Sequence, residues 1–305
     1  MASPHPLSAA ALFSLKGYVA VVTGGGTGVG LMIAQTLAAN GAKVYITGRR
    51  ADVLDTSARV HGAPERLGGS GGSIVSLVMD ITSKDSVKAA VATITEKDGF
   101  VNTLVNNAGM WGGRPAASPK DGPEAFSEAM LAEEKADNWQ KTFDVNVTSQ
   151  YFVTAAFLPL LAKAISGPTG KVGSVVNSCS VSGLLRMTQN RQFSYNVSKA
   201  AFIHLTRQLA FELSHKEVNV RANALALGYF PSEMTTGESN AENESTPFNE
   251  QFEKFMESMG GRIINRMGTA QEMASAVLTL VTNDFIWGNV WIVDGGLTLA
   301  VPGNM

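Results

Sequence analysis

Five glycines fall within eight residues in Thr23-Gly24-Gly25-Gly26-Thr27-Gly28-Val29-Gly30, directly after an apolar run (18–23) and directly before a helical pattern (31–39). No other stretch restricts the possible folds as much. Glycine lets a backbone turn tightly, approach a bound group closely and pack a helix onto the preceding strand. A helix N-terminus at the same point adds free N–H groups and a partial positive charge, which together suit a pyrophosphate. The alternative is a glycine-rich βα turn that holds no ligand.

The strand-then-helix order repeats along the chain. Short apolar, β-branched runs at 18–23, 43–47, 74–79, 103–106, 172–178, 218–225 and 290–293 are predicted strands, separated by longer helical patterns. Near-continuous apolar runs are what strands buried on both faces look like. Alternating order then predicts an α/β domain, Rossmann-like, with a doubly wound seven-stranded parallel sheet and helices on both faces. Right-handed crossovers put the ligand site at the carboxyl ends of the strands. The 305 residues suffice for one such domain, preceded by an N-terminal extension (1–16). Three segments stand outside the alternation. The glycine-rich 62–73 reads as a loop. Segments 110–137 and 231–262 leave strands at their carboxyl ends, so they either border the ligand crevice or are surface insertions. The later one carries an amphipathic pattern of Phe248, Phe252, Phe255, Met256 and Met259.

A formal net charge of −2 provides no general attraction to nucleic acid or to an anionic membrane. The single cysteine, Cys179, excludes an intrachain disulfide framework and fits a reducing compartment. His5, His61, His204 and His215 lack metal-ligand spacing, so no metal is expected. No apolar run reaches the roughly 18 residues of a membrane span, and the first residues lack a basic leader. The expectation is a soluble cytoplasmic protein acting on a small molecule.

About 18 residues beyond Gly30, a cofactor with a free ribose 2′-hydroxyl would want an acidic partner. The second strand instead ends Thr47-Gly48-Arg49-Arg50. Glycine leaves room there, and arginine binds a 2′-phosphate through charge-assisted bonds. NADP(H) is therefore expected over NAD(H), with Arg49 as the main contact and Arg50 either beside it or a solvated helix-start residue. Asp80, ending the third strand, either accepts from the adenine amino group or is a turn carboxylate.

Tyr195 and Lys199 stand four apart and so share one face of a helix. A cation near a phenol, whose ordinary pKa is ~10, favours the phenolate and makes it a usable acid near neutrality. The spacing alone fits equally a partly buried ring beside a solvated charge.

Together these residues resemble the short-chain dehydrogenase/reductases, in the compact single-domain subgroup. The likeness extends from Gly24 to Gly296. It runs through Thr23-Gly-x-x-x-Gly28-x-Gly30, Asn106-Asn107-Ala108-Gly109, Asn146, Asn177-Ser178-Cys179-Ser180-Val181-Ser182-Gly183, Tyr195-x-x-x-Lys199 and Val293-Asp294-Gly295-Gly296. The resemblance implies a catalytic tetrad of Asn146, Ser180, Tyr195 and Lys199. In it, Ser180 would bond the substrate oxygen and Tyr195 would give or take its proton. Lys199 would tune Tyr195 and bind the nicotinamide ribose, and Asn146 would hold a water relaying protons to Lys199. It further implies that Thr23, Gly24, Thr27, Gly28, Val29, Gly30, Asn107, Ala108, Gly109 and Gly228 meet the cofactor, and that the protein is a homodimer or homotetramer. The helices over 146–161 and 195–213 carry apolar residues on more than one face (Phe152, Ala156, Leu160; Phe202, Leu205, Leu209), which suits a twofold interface. Ser178 is the reserve for Ser180, and Cys179 is expected to be packed rather than reactive.

The chain departs from the family pattern in three places. Fifteen residues separate Ser180 from Tyr195, so the loop 185–192 is lengthened over the site. Leu227 stands where the family usually carries proline, which frees one φ angle and adds a donor, and so would loosen the wall at Gly228. The long 110–137 segment brings Trp111, either a wall for an apolar substrate or a residue packed on the protein. The expected activity is NADPH-dependent reduction of a ketone or aldehyde, reversibly oxidation of an alcohol. The alternatives are a cyclase or isomerase with little net redox chemistry, and a non-catalytic NADP(H)-binding sensor or scaffold.

Overall fold

The computed structural model describes residues 4–133, 136–247, 249–258 and 266–300. β1 (Val19–Thr23), β2 (Lys43–Gly48), β3 (Ser73–Val78), β4 (Thr103–Asn106), β5 (Gly173–Ser180), β6 (Val220–Leu227) and β7 (Val290–Val293) form one sheet in the order β3-β2-β1-β4-β5-β6-β7. Every neighbouring pair is parallel. β1 pairs with β2 on one side and β4 on the other, so the chain reverses its direction of travel there. That reversal opens a crevice at the carboxyl ends of the central strands.

β5 and β6 both end two residues later than their apolar runs predict. Their ladder continues through Ser178↔Leu225 and Cys179↔Ala226 to Ser180↔Leu227, and Leu227 also pairs with Val293. Leucine in place of proline retains an N–H and a free φ, so this wall is extended strand rather than the loosened loop expected at Leu227. β6 begins after Asn219, whose φ of 51° is the left-handed conformation that asparagine tolerates better than most side chains.

The sheet is covered on both faces. On one, Ile33, Ala34 and Leu37 of the Gly28–Ala39 helix meet Met273, Val277 and Leu280 of the Ala270–Thr282 helix in a single cluster with Val22 and Ile46. On the other, Val153, Phe157, Leu160 and Leu161 of the Ser149–Ala162 helix pack with Val87, Ala90 and Ile94 of the Lys84–Lys97 helix and with Val21 and Val175. Leu160 and Phe202, two of the residues expected at a twofold interface, are core residues instead. The large apolar side chains left exposed on those helices are Tyr151, Phe152, Val197 and Phe211. The helical stretch Asn138–Ser166 is long and apolar enough to cross a membrane, which corrects the expectation that no run reaches that length. Its Val153, Phe157 and Leu161 face the sheet and are fully buried.

Among the described residues the largest fully buried side chain is Arg221, in β6. Its Nη1 donates to Leu280 O (2.9 Å) and Ile286 O (3.3 Å), and its Nη2 to Val281 O (2.8 Å), beside Asp284 at 3.6 Å. One guanidinium thus satisfies the carbonyls ending the Ala270–Thr282 helix and the turn into β7. Burial lowers its pKa, and Asp284 and Tyr18 oppose that shift. Arg221→Met fills similar space but strands those carbonyls. It is expected to lower the unfolding free energy by about 3 kcal/mol, read as a lower urea midpoint with an unchanged slope.

Candidate active site

A cavity of about 900 Å³ opens along the carboxyl ends of the strands. Its floor begins at the glycine turn, where Gly24 (φ +63°) and Gly28 (φ +51°) hold the left-handed conformation. Gly30 has no room for a side chain, since a Cβ there would overlap Gly24 O and lie 2.5 Å from Asn107 Nδ2. Thr27 is the N-cap of the Gly28–Ala39 helix, yet no side chain caps that helix. Its first-turn N–H groups therefore face the cavity without a side-chain acceptor, which suits an anion.

Gly24, Thr27, Gly28, Val29 and Gly30 all line the cavity, as do Arg49, Arg50, Asp80, Asn107, Ala108, Gly109 and Gly228. Thr23 does not, in contrast to the role expected for it. Its hydroxyl oxygen accepts from Asn107 N (2.9 Å) and Ala108 N (3.0 Å), while Asn107 Nδ2 donates to Thr23 O (3.0 Å) and Gly24 O (3.3 Å). Fully buried, Thr23 ties the end of β1 to the segment after β4 from behind the wall. Asp80 lies on the wall, with Oδ1 accepting from Thr82 N (3.0 Å) and Thr82 Oγ1 (2.8 Å) in a turn. Both of its expected roles are compatible with that position.

At the end of β2 the two arginines differ. Arg49 is exposed and has no ion-pair partner among the described residues. Arg50 is engaged by Glu233, with Nη2 donating to Oε2 at 2.8 Å and Nη1 to Oε1 at 3.2 Å. Nothing local in the sequence marks Glu233, because the return of the chain after β6 to the end of β2 is set only by the fold.

On the other side of the glycine turn stand Ser180, Tyr195 and Lys199, all lining the same cavity. Ser180 ends β5, and its Oγ accepts from Ser182 N (3.1 Å). Tyr195 lies in the first turn of the Phe193–Leu213 helix, half-buried, and Lys199 one turn on. Lys199 Nζ donates to Ser178 O (3.0 Å) and is 5.7 Å from the Tyr195 ring centre. A bond to backbone fixes the ammonium although the residue is almost fully buried. Cys179, between Ser178 and Ser180, also borders the cavity but is buried, and burial pushes its thiol up to about 12, so it is protonated near neutrality.

Asn146 does not line the cavity. It sits in a π-helical turn, Asp144–Thr148, and is 1 % exposed. Its Nδ2 donates to Met110 O and Ser198 Oγ, both at 3.0 Å, and its Oδ1 accepts from Met110 N (2.9 Å). Both amide hydrogens are thus used in fastening the post-β4 segment to the helix of Tyr195. The side chain acts as a brace, so a water held for Lys199 would need a different partner from this amide's donors.

Of the segments singled out as unusual, 110–137 gives the cavity Met110 and 231–262 gives it Ser232, Glu233, Met234 and Thr235, while the aromatic cluster next to them is not part of its lining. Tyr229 follows Gly228 and meets Phe252 and Phe255 edge-on at 5.2 and 5.5 Å, in a cluster with Val181, Leu185, Met187 and Met256. Burial, with Tyr195 a lesser cause, pushes the Tyr229 phenol up to about 12. Gln189 Nε2 donates to its oxygen at 3.2 Å. Gln189, Asn190 and Arg191 all have positive φ, so the lengthened loop makes a left-handed turn of three ordinary residues. Arg191 Nε reaches Pro115 O at 3.3 Å and joins that loop to the 110–137 segment. Trp111 remains 44 % exposed, so it is not packed away inside the protein. Phe248 and Met259 lie outside the residues whose side chains are described.

Comparison with known proteins shows the family of the chain. The family described as short chain dehydrogenase matches residues 18–243. The chain belongs to the short-chain dehydrogenase/reductase family. It is 37% identical to the short-chain dehydrogenase/reductase PhomF of Diaporthe leptostromiformis, over 98% of this chain and 97% of that one. It is 32% identical to the rhamnolipids biosynthesis 3-oxoacyl-[acyl-carrier-protein] reductase of Pseudomonas aeruginosa, over 94% and 98%. Among solved structures, the Pseudomonas aeruginosa RhlG/NADP active-site complex superposes with a TM-score of 0.75 at 31% identity, covering 96% of this chain and 99% of that one. The sheet order and its encircling helices are those of a short-chain dehydrogenase/reductase, an oxidoreductase family.

Proposed function

We propose that this short-chain dehydrogenase/reductase reduces a ketone or aldehyde with NADPH and, in reverse, oxidises an alcohol. One observation carries the reading: Ser180, Tyr195 and Lys199 line the same cavity as the helix N-terminus that Thr27 leaves uncapped and as Arg49, which has no ion-pair partner among the described residues. The residues fit a dinucleotide, with the pyrophosphate on the glycine turn and a 2′-phosphate near Arg49. A bound nicotinamide would supply the hydride.

The chain's own groups then handle the oxygen and its proton. Negative charge grows on the carbonyl oxygen as reduction proceeds. Hydrogen bonds from Tyr195 and Ser180 strengthen with that charge, so they stabilise the transition state more than the ground state. Tyr195 gives up its proton to the oxygen, and the fixed ammonium of Lys199 stabilises the phenolate left behind. The 3-oxoacyl reductase and the NADP complex among the relatives support a carbonyl substrate and this cofactor. The exposed Tyr151, Phe152, Val197 and Phe211 support association with further copies of the chain.

The experiment mixes purified protein with NADPH or NADH and a panel of ketones, aldehydes and 3-oxoacyl thioesters, following the absorbance of the reduced nicotinamide. Consumption of NADPH faster than of NADH with at least one carbonyl is expected. No consumption of either across the panel would overturn the reading.

A further inference from the structure

Ser180, Tyr195 and Lys199 stand on the β5 side of the glycine turn, so a dinucleotide lying across that turn extends its other end toward β2 and β3. That end of the cavity is lined by Thr47, Gly48, Arg49, Arg50 and Asp80. A carboxylate from a distant part of the sequence occupies it too. Glu233 opens a short helix, Glu233–Thr236, and binds Arg50 through both oxygens.

Glu233 is held there independently of Arg50. Just before it, Ser232 packs against the glycine turn, so that a Cβ on Gly28 would lie 2.8 Å from the Ser232 Cβ. Thr235 Oγ1 donates to Phe230 O (2.7 Å) and accepts from Ser232 N (3.0 Å), fixing the turn. Further on, the strap of chain is pinned to the Ala51–His61 helix. Asn243 Nδ2 donates to Val53 O (3.0 Å) and Ser57 Oγ (2.8 Å), and Glu242 O lies 2.7 Å from Nε2 of the buried His61. Glu242 also pairs with Arg66 at 3.0 Å. Anchors on both sides keep the carboxylate beside Arg50 even when that arginine turns to another anion.

Resting on the NADP(H) reading, we propose that Glu233 is a cofactor-discriminating residue, which competes with a ribose 2′-phosphate for Arg50 and lowers the preference for NADP(H) over NAD(H). Arg50 and Glu233 are 57 % and 37 % exposed in their side chains, and an exposed pair is a weak contact that a phosphate of nearly two negative charges displaces. The displaced carboxylate stays close and repels the phosphate. NAD(H), with a neutral hydroxyl at that position, leaves the pair intact. Arg49, which has no such competitor among the described residues, supplies the uncontested attraction.

The test is equilibrium binding of NADPH and of NADH without substrate, by fluorescence titration, in wild type, Glu233→Gln and Glu242→Gln. Glu233→Gln is expected to tighten NADPH roughly fivefold, about 1 kcal/mol, with NADH unchanged and with the gain shrinking as salt rises. Glu242→Gln removes one negative charge from the same strap while the main-chain bond to His61 and the Asn243 bonds still hold it, and is expected to leave the NADPH-to-NADH ratio at its wild-type value. An unshifted ratio in Glu233→Gln, or an equal shift in Glu242→Gln, overturns the proposal. The wild-type ratio separately tests the cofactor reading: tighter NADH than NADPH binding defeats that reading, while a shift in Glu233→Gln still supports the competition.

Discussion

Tyr195→Phe is expected to lower kcat by roughly 10²–10⁴-fold, while NADPH binds as tightly as before and the melting temperature stays within a degree or two. The substitution removes one oxygen and keeps the ring. Lys199 retains its anchor, since its bond runs to the backbone oxygen of Ser178 and not to the phenol. The helix Phe193–Leu213 retains its buried face of Ser198, Phe202, Thr206 and Ala210. What disappears is the donor for the oxygen on which charge grows, so the loss belongs in kcat and not in the cofactor's Kd. Single-turnover measurements with the reduced cofactor pre-bound separate the two. Undiminished turnover would remove Tyr195 from the chemistry. Lys199→Ala is a poorer test, because it also empties a buried site that the protein has built a hydrogen bond to fill.

Much of this site is legible in the sequence because its parts depend on local spacing. Gly24, Gly28 and Gly30 recur at intervals set by one turn entering one helix, and Tyr195 and Lys199 at the interval of one helical turn. The strands announce themselves as apolar runs, since both faces of the sheet are buried. Where local pattern stops, so does the reading. The apolar signal of β5 fades at Ser178, yet its ladder with β6 runs on to Ser180↔Leu227, because pairing between strands and not the hydrophobicity of β5 sustains it there. Thr23 and Asn146 have the residue types of ligand contacts, and each spends its polar atoms on protein groups brought close only by the fold. Glu233 meets Arg50 across 183 residues, a contact that no window of sequence contains.

Gly30→Ala is expected to weaken dinucleotide binding by roughly 100-fold, about 3 kcal/mol, the upper range for forcing an atom into a packed site. The added methyl meets the main-chain oxygen of Gly24 and the Nδ2 of Asn107, and neither can yield alone. Gly24 O is held by Asn107 Nδ2, which also bonds Thr23 O, while Thr23 Oγ1 holds Asn107 N. Moving one of these groups moves the floor of the cavity and the start of the Gly28–Ala39 helix, the two surfaces proposed to meet the phosphates. Gly26→Ala is the matched control. A Cβ there touches Val53 Cγ1 at 3.0 Å and Leu54 Cδ2 at 3.3 Å, both ends of side chains with some freedom to shift. Gly26 also lacks the left-handed φ of Gly24 and Gly28, so alanine adds no backbone strain there. Its affinity should fall much less than that of Gly30→Ala. The order of the two Kd values, measured by titration alongside melting temperatures, tests the claim: equal affinities would show that composition of the turn, and not its contact with Asn107, shapes the phosphate site.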